Sequence, residues 1–437
     1  MKKISKRKTA GIVLLSIIGM IFAILAGVFA YYKLCMDPYR GTVQEFSDSC
    51  SMDELLSGKE AKEDLKYVIE HLQERHPAWL DGSDELMAAA EAQYEKEAAG
   101  IGKEISVLEL CRAASRITAK LHDGHTYIKW NNDAQERYID DFTQLRTYGN
   151  PVAVDGVPVD EIFDTYREMA SYELEFYAER LFFGSAIVRE QSLDMCGIDT
   201  SDGVVITFEK DGGQEEYTYQ FVPLEEVKGF EQGGEDTPWV FWQIDKENSV
   251  GIFTLTACVY NEEYKRKLDE FFSEVFAENI RNVVVDLRGN SGGNSWVANA
   301  FMTYLNVDKY ASWDCAVRYG WYLLENKDIE YINQKKEQVF DGEVYVLTDN
   351  WTYSAAMDFA MLIGDNGIGT IVGEPSGNLP DSYGDCLYFQ LPNSGLMMSV
   401  SHKKWYRVDK TRSGEPLMPD YEVAADKALE KVYELIR

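Results

Sequence analysis

Three short stretches of this sequence carry residue types and spacings able to do chemistry. In Val283-Val284-Val285-Asp286-Leu287-Arg288-Gly289-Asn290-Ser291-Gly292-Gly293 an apolar run ends in an opposite-charge pair and a glycine-rich turn. Glycines let a backbone approach a ligand closely, and free N–H groups at a helix start stabilise negative charge, which suits a phosphate, a carboxylate or an oxyanion. The turn lacks the Lys-Ser/Thr of a P-loop and the spacing of a dinucleotide fingerprint, so nucleotide binding is set aside. In Thr352-Tyr353-Ser354-Ala355-Ala356-Met357-Asp358 a serine stands where a helix should begin, after an Asp349-Asn350 turn. Such a serine either caps the helix or, given a base and an oxyanion hole, acts as a nucleophile. Leu121-His122-Asp123-Gly124-His125-Thr126-Tyr127 holds two of the five histidines. No H-E-x-x-H pattern or third ligand accompanies them, so the pair suits a general base better than a metal site.

The elements that must position these residues follow from periodicity. Leu65, Val68, Ile69 and Leu72 fall at i, i+3, i+4 and i+7, predicting a helix over Lys62–His76 that Pro77 ends. Ser106-Val107-Leu108-Glu109 has the form of a capping box opening a second helix, with Val107, Leu110, Cys111, Ala114, Ile117 and Leu121 on its buried face and a glycine stop at Asp123-Gly124. Residues 131–247 read as strand-rich, with Val204–Phe208 and Tyr217–Val222 around a Lys210-Asp211-Gly212-Gly213 turn. After Ser249 strands and helices alternate, predicting an α/β core. Its strands are Gly251–Ala257, Val283–Leu287, Glu343–Thr348, Thr370–Val372 and Leu396–Val400; its helices are Glu262–Ile280, Ser295–Leu305, Ser354–Ile363 and Ala425–Ile436.

The 437 residues, 45% hydrophobic and 27% charged, describe an ordinary globular chain with room for several domains. A formal net charge of −31 argues against nucleic acid as a partner. Seven cysteines without a C-x-x-C pair argue against a disulfide framework or a zinc site. The charge is polarised: Lys2, Lys3, Lys6, Arg7 and Lys8 open the chain, and without those five the net charge of −31 becomes −36. Between the two parts Gly11–Tyr32 is uncharged and aliphatic, enough to span about 30 Å of hydrocarbon. Basic residues before it place the N-terminus in the cytoplasm and the acidic bulk outside. A cleaved signal peptide ending at Val28-Phe29-Ala30 is the alternative. The expected segments are a basic tail (1–10), a transmembrane anchor (11–32), a stalk (33–52), a helical domain (53–130), a β-rich insert (131–247) and a catalytic core (248–437).

Taken in order, the motifs resemble the serine peptidase family of C-terminal-processing (tail-specific) proteases and the tricorn core. The residues that carry the resemblance are His76-Pro77, Asp123-Gly124-His125-Thr126, Asp286-Leu287-Arg288-Gly289-Asn290-Ser291-Gly292-Gly293, Ser354-Ala355-Ala356-Met357-Asp358, Val372-Gly373-Glu374-Pro375-Ser376-Gly377 and Pro419-Asp420-Tyr421-Glu422-Val423. It implies a ClpP/crotonase-like β-β-α catalytic core, an N-terminal helical domain and a degenerate PDZ-like insert around residues 151–159. The tail-specific branch uses a Ser–Lys dyad, but Leu379 stands where its lysine would be, so the Ser–His branch matches better. The acid that usually follows S-A-A is displaced to Asp358, with Met357 in its place. The resemblance implies Ser354 as nucleophile, His125 as base, and Gly292 and Ala355 N–H groups as the oxyanion hole. Glu415 is the nearest candidate for the orienting acid, with Asp123 and Asp385 as alternatives. It calls for no metal or cofactor, and for a peptide or protein substrate.

Two rival readings remain. Gly289-Asn290-Ser291-Gly292-Gly293 also fits a G-x-S-x-G elbow, with Ser291, Asp365 and His402 in the order of an α/β-hydrolase esterase. The missing lysine and displaced acid would also fit a peptide-binding protein on an inactive peptidase scaffold.

Overall fold

The computed structural model describes residues 6–230 and 238–437. Residues 1–5 of the expected basic tail and 231–237 of the expected insert lie outside the described residues. A helix over Lys6–Tyr31 leads into a π turn at Tyr32–Met36. Within it Val13–Met36 has a mean hydropathy of 2.7, and its side chains are exposed almost throughout. Long enough to cross a bilayer, it meets the rest of the chain at its end, where Trp321 Nε1 donates to the Tyr31 hydroxyl at 2.7 Å.

The main sheet has six strands in the order Val240–Asp245, Val250–Leu255, Asn282–Asp286, Glu343–Thr348, Thr370–Gly373 and Tyr421–Glu422. All neighbours run parallel except the first pair. Strand alternation divides its apolar residues between two faces. Val283, Val285 and Val346 pack under the helices Glu262–Ala277, Trp296–Met302 and Ala355–Asp365, while Val284, Leu347 and Val372 pack on the closing helix Ala428–Leu435. This is the α/β core expected from the alternation. Gly292 and Ser354 therefore emerge beside one another, on turns leaving the carboxyl ends of the adjacent parallel strands Asn282–Asp286 and Glu343–Thr348.

A second sheet is built on the long antiparallel pair Ser382–Gln390 and Met397–Tyr406, joined by Asp314–Tyr319, Tyr322–Asn326 and Tyr127–Lys129. The helices Gly58–Arg75, Asp84–Gly100 and Val107–Ala119 share a core with it. Leu65, Val68, Ile69 and Leu72 are all buried there, as their spacing predicts. The second helix stops earlier than expected, at Ala119, and the left-handed residue beyond it is His122 (φ +46°), not Gly124. Residues 139–221 hold a separate apolar core and a four-stranded sheet in which Ala153–Val154 and Val157–Pro158 form a hairpin. All seven cysteines are unpaired.

Candidate active site

Ser354 joins the strand Glu343–Thr348 to the helix Ala355–Asp365 with φ +51° and ψ −125°. An L-residue held there is strained by about 1–3 kcal/mol, so the surroundings must over-determine it. They do so through buried polar groups. Asp349 accepts from Gly289 N at 3.0 Å, Thr352 Oγ1 donates to Leu287 O at 2.9 Å, and Tyr353 N donates to Asn290 O at 3.0 Å. These bonds tie the serine turn to the glycine turn. Asn378 Oδ1 accepts from Ser354 N at 2.8 Å. The serine side chain caps nothing; its Oγ lies 3.0 Å from His125 Nε2. The alternative of a plain helix cap is thereby corrected.

The glycine turn presses against this point. Gly292 has φ +101°, and a Cβ there would lie 2.8 Å from Ser354 Cβ and 2.9 Å from Ala355 N, so only glycine fits. Its N–H donates to Asn290 Oδ1 at 2.8 Å. That corrects the expectation that this N–H is free for an oxyanion. The next one along, of Gly293, has no acceptor among the described residues.

His125 follows the helix Val107–Ala119 and leads into the strand Tyr127–Lys129. Its Nδ1 has no hydrogen-bond partner among the described residues and faces Asp123 Oδ1 at 3.7 Å. Asp123 is wholly buried. It accepts from His125 N (2.9 Å), Ser401 Oγ (2.7 Å) and His76 Nε2 (3.1 Å). His76 Nδ1 in turn accepts from Ala78 N at 3.2 Å, which assigns the Nε2 proton to the Asp123 bond. Burial opposes ionisation of Asp123, but these donors and the two imidazoles outweigh it and hold its pKa well below 3.8. Burial likewise opposes charging of His125, yet Asp123, then Glu173 and Asp358, raise its pKa above 6.5.

Glu173 is a member of the site that the motifs did not point to, and Asp358 is the displaced acid of the Ser354 motif. Glu173 accepts from the Tyr353 hydroxyl at 3.2 Å and Gly124 N at 3.4 Å, and Tyr177, four residues on, stacks on Tyr353. Burial, then the Asp123 charge, pushes the Glu173 carboxyl up to about 7. Asp358 accepts from Ser295 Oγ at 3.2 Å and is pushed to about 7, again chiefly by burial. Asp123, His125 and Glu173 offer donor atoms within 4.8 Å of one another. The carboxylate oxygens among them are already engaged by His76, Ser401, Tyr353 and backbone N–H groups, so internal hydrogen bonding accounts for the grouping.

The other candidates stand elsewhere. Glu415 is exposed at 59% and pairs with Arg412, so the orienting-acid expectation is corrected: the acid facing His125 Nδ1 is Asp123. Asp385 pairs with Lys403. The esterase set is not assembled: Ser291 is exposed, Asp365 pairs with the buried Arg407 at 3.0 Å, and His402 Nδ1 faces Asp385 O.

The geometry agrees with what comparison with known proteins finds. Residues 249–423 match the model of peptidase family S41. The fold is similar to that of mature CPAF, with a TM-score of 0.61 and 12% identity over 87% of this chain and 96% of that one. It is also similar to a putative peptidase from Parabacteroides merdae, with a TM-score of 0.50 and 15% identity over 87% of this chain and 97% of that one. Residues 249–423 thus carry a peptidase family S41 domain, and the chain is similar to the serine-type peptidases of that family.

Proposed function

We propose that this protein is a membrane-anchored, extracytoplasmic serine peptidase that cleaves peptide bonds through Ser354 and His125. The observation that carries the reading is the 3.0 Å approach of Ser354 Oγ to His125 Nε2, made by a serine in a strained, non-capping conformation. In this mechanism neutral His125 takes the Ser354 proton as Oγ attacks the substrate carbonyl, then returns it to the leaving amine. Asp123, fixed by His76 and Ser401, faces Nδ1 and stabilises the imidazolium formed between those steps. The N–H of Ala355, at the head of its helix, and that of Gly293 receive the oxyanion, a contribution of about 3–4 kcal/mol per donor in comparable sites. Asn378 supports the arrangement by holding the Ser354 backbone. The location rests on the basic residues before the apolar helix and the acidic bulk after it.

The test is peptide hydrolysis by Ser354→Ala and Ser291→Ala. The first should lose several orders of magnitude in kcat with an unchanged Tm, since Ser354 caps nothing. The second should stay close to wild type. The reverse pattern would move the chemistry to Ser291. A wild type that binds peptides without cleaving them would leave an inactive scaffold.

A further inference from the structure

We infer that a cavity of about 510 Å³ beside Ser354 receives an aromatic side chain of the substrate at a position flanking the cleaved bond; the inference rests on the peptidase reading above. Two of its walls are continuations of the elements that hold the reacting groups. Gly293, Asn294 and Ser295 carry on from Gly292, whose Cα abuts Ser354, and Ser295 Oγ donates to Asp358. Opposite them stand Trp405 and Asp385. Gly384, the neighbour of Asp385, runs beside the base: a Cβ there would lie 3.2 Å from Trp405 Nε1 and 3.8 Å from His125 Cε1. A side chain next to a carbonyl attacked by Ser354 therefore has this cavity within one residue's reach.

The lining decides which side chain. Trp313 and Trp405 meet edge to face at 6.3 Å, Tyr331 adds a further ring, and Trp296 stands at the rim with 55% of its surface exposed. Rings so arranged offer both faces and edges to another ring. The two charged lining groups satisfy each other: Lys403 pairs with Asp385, and its ammonium lies 5.3 Å over the Trp405 ring. A substrate Lys, Arg, Asp or Glu entering here would lose hydration without gaining an unpaired counter-charge. Alanine or glycine would present no ring to these walls. An aromatic ring meets them face or edge, and a tyrosine hydroxyl would find Asn294, Asn299 and Asn326 among the lining residues.

Quenched fluorescent peptides with Phe, Tyr, Ala, Lys or Glu at each of the two flanking positions test this with the full-length protein. At one position kcat/KM for Phe or Tyr should exceed that for Ala, Lys or Glu by about 10-fold or more. That ratio should fall below about 3 in Trp296→Ala and recover in Trp296→Phe, which restores a ring at the rim. Cleavage without aromatic preference, or a ratio untouched by Trp296→Ala, overturns the inference and leaves the peptidase reading standing. Should no peptide be cleaved, the peptidase reading fails instead. Fluorescence polarisation of labelled Phe and Ala peptides then decides the cavity, and equal affinities overturn it.

Discussion

Asp358→Asn gives the electrostatics around His125 a quantitative test. The carboxyl is 7% exposed, on the first turn of the helix that Ser354 opens, and burial moves its pKa from 3.8 to about 7. Between those values the native state holds a proton that the unfolded chain has lost. Its contribution to stability is therefore full below pH 3.8 and is lost as pH rises through 7. The slope is about 1.4 kcal/mol per pH unit, which accumulates to about 4 kcal/mol by pH 8. Asparagine cannot ionise yet keeps an oxygen for Ser295 Oγ. The variant should match wild type near pH 4 and surpass it by a growing margin up to about pH 8, on the order of 4 kcal/mol at the top of the range. Urea unfolding followed by tryptophan fluorescence across that range reads the difference directly. Removing the negative charge also lowers the His125 pKa, so the acid limb of kcat/KM should move to lower pH. Parallel stability profiles for the two proteins, or an acid limb that moves upward, would refute the reasoning.

Three further outcomes follow from the same geometry. His125→Ala should abolish hydrolysis, while His122→Ala, altering an exposed side chain three residues earlier, should retain most of it. Wild-type kcat/KM should rise with pH through an apparent ionisation above 6.5, because Asp123, Glu173 and Asp358 hold His125 in its charged form longer than a free imidazole. Asp123→Ala leaves His76 Nε2–H and Ser401 Oγ without their shared acceptor, and should cost about 3–5 kcal/mol in urea unfolding besides its effect on rate. Protease added outside intact cells should digest the chain beyond about residue 33; protection of that region would place the peptidase in the cytoplasm.

What the sequence made legible was local. The strand–turn–helix stretches around Gly292 and Ser354 stand out because each combines an apolar run with residues that core and surface do not require. His125 stands out because histidines are so few. The supporting groups Glu173 and Asn378 give no such signal. Glu173 reaches Gly124 and Tyr353 across 49 and 180 residues, and Asn378 reaches Ser354 across 24; only tertiary packing makes them neighbours. Glu415 misled because distance along the chain stood in for distance in space, and Arg412 holds it elsewhere. The helix Asp84–Gly100 gives no periodic signal since Ala90 is its one fully buried residue. The strand Ser382–Gln390 is interrupted by Gly384 and by Asp385 at φ +56°, just where it passes His125.

The central claim is that His125 activates Ser354, and fluorophosphonate labelling with tandem mass spectrometry tests it most directly. The account predicts one modified serine, Ser354, with a labelling rate that rises with pH above 6.5 and collapses in His125→Ala. Modification of Ser291 instead, or a Ser354 that labels equally fast without His125, would contradict it.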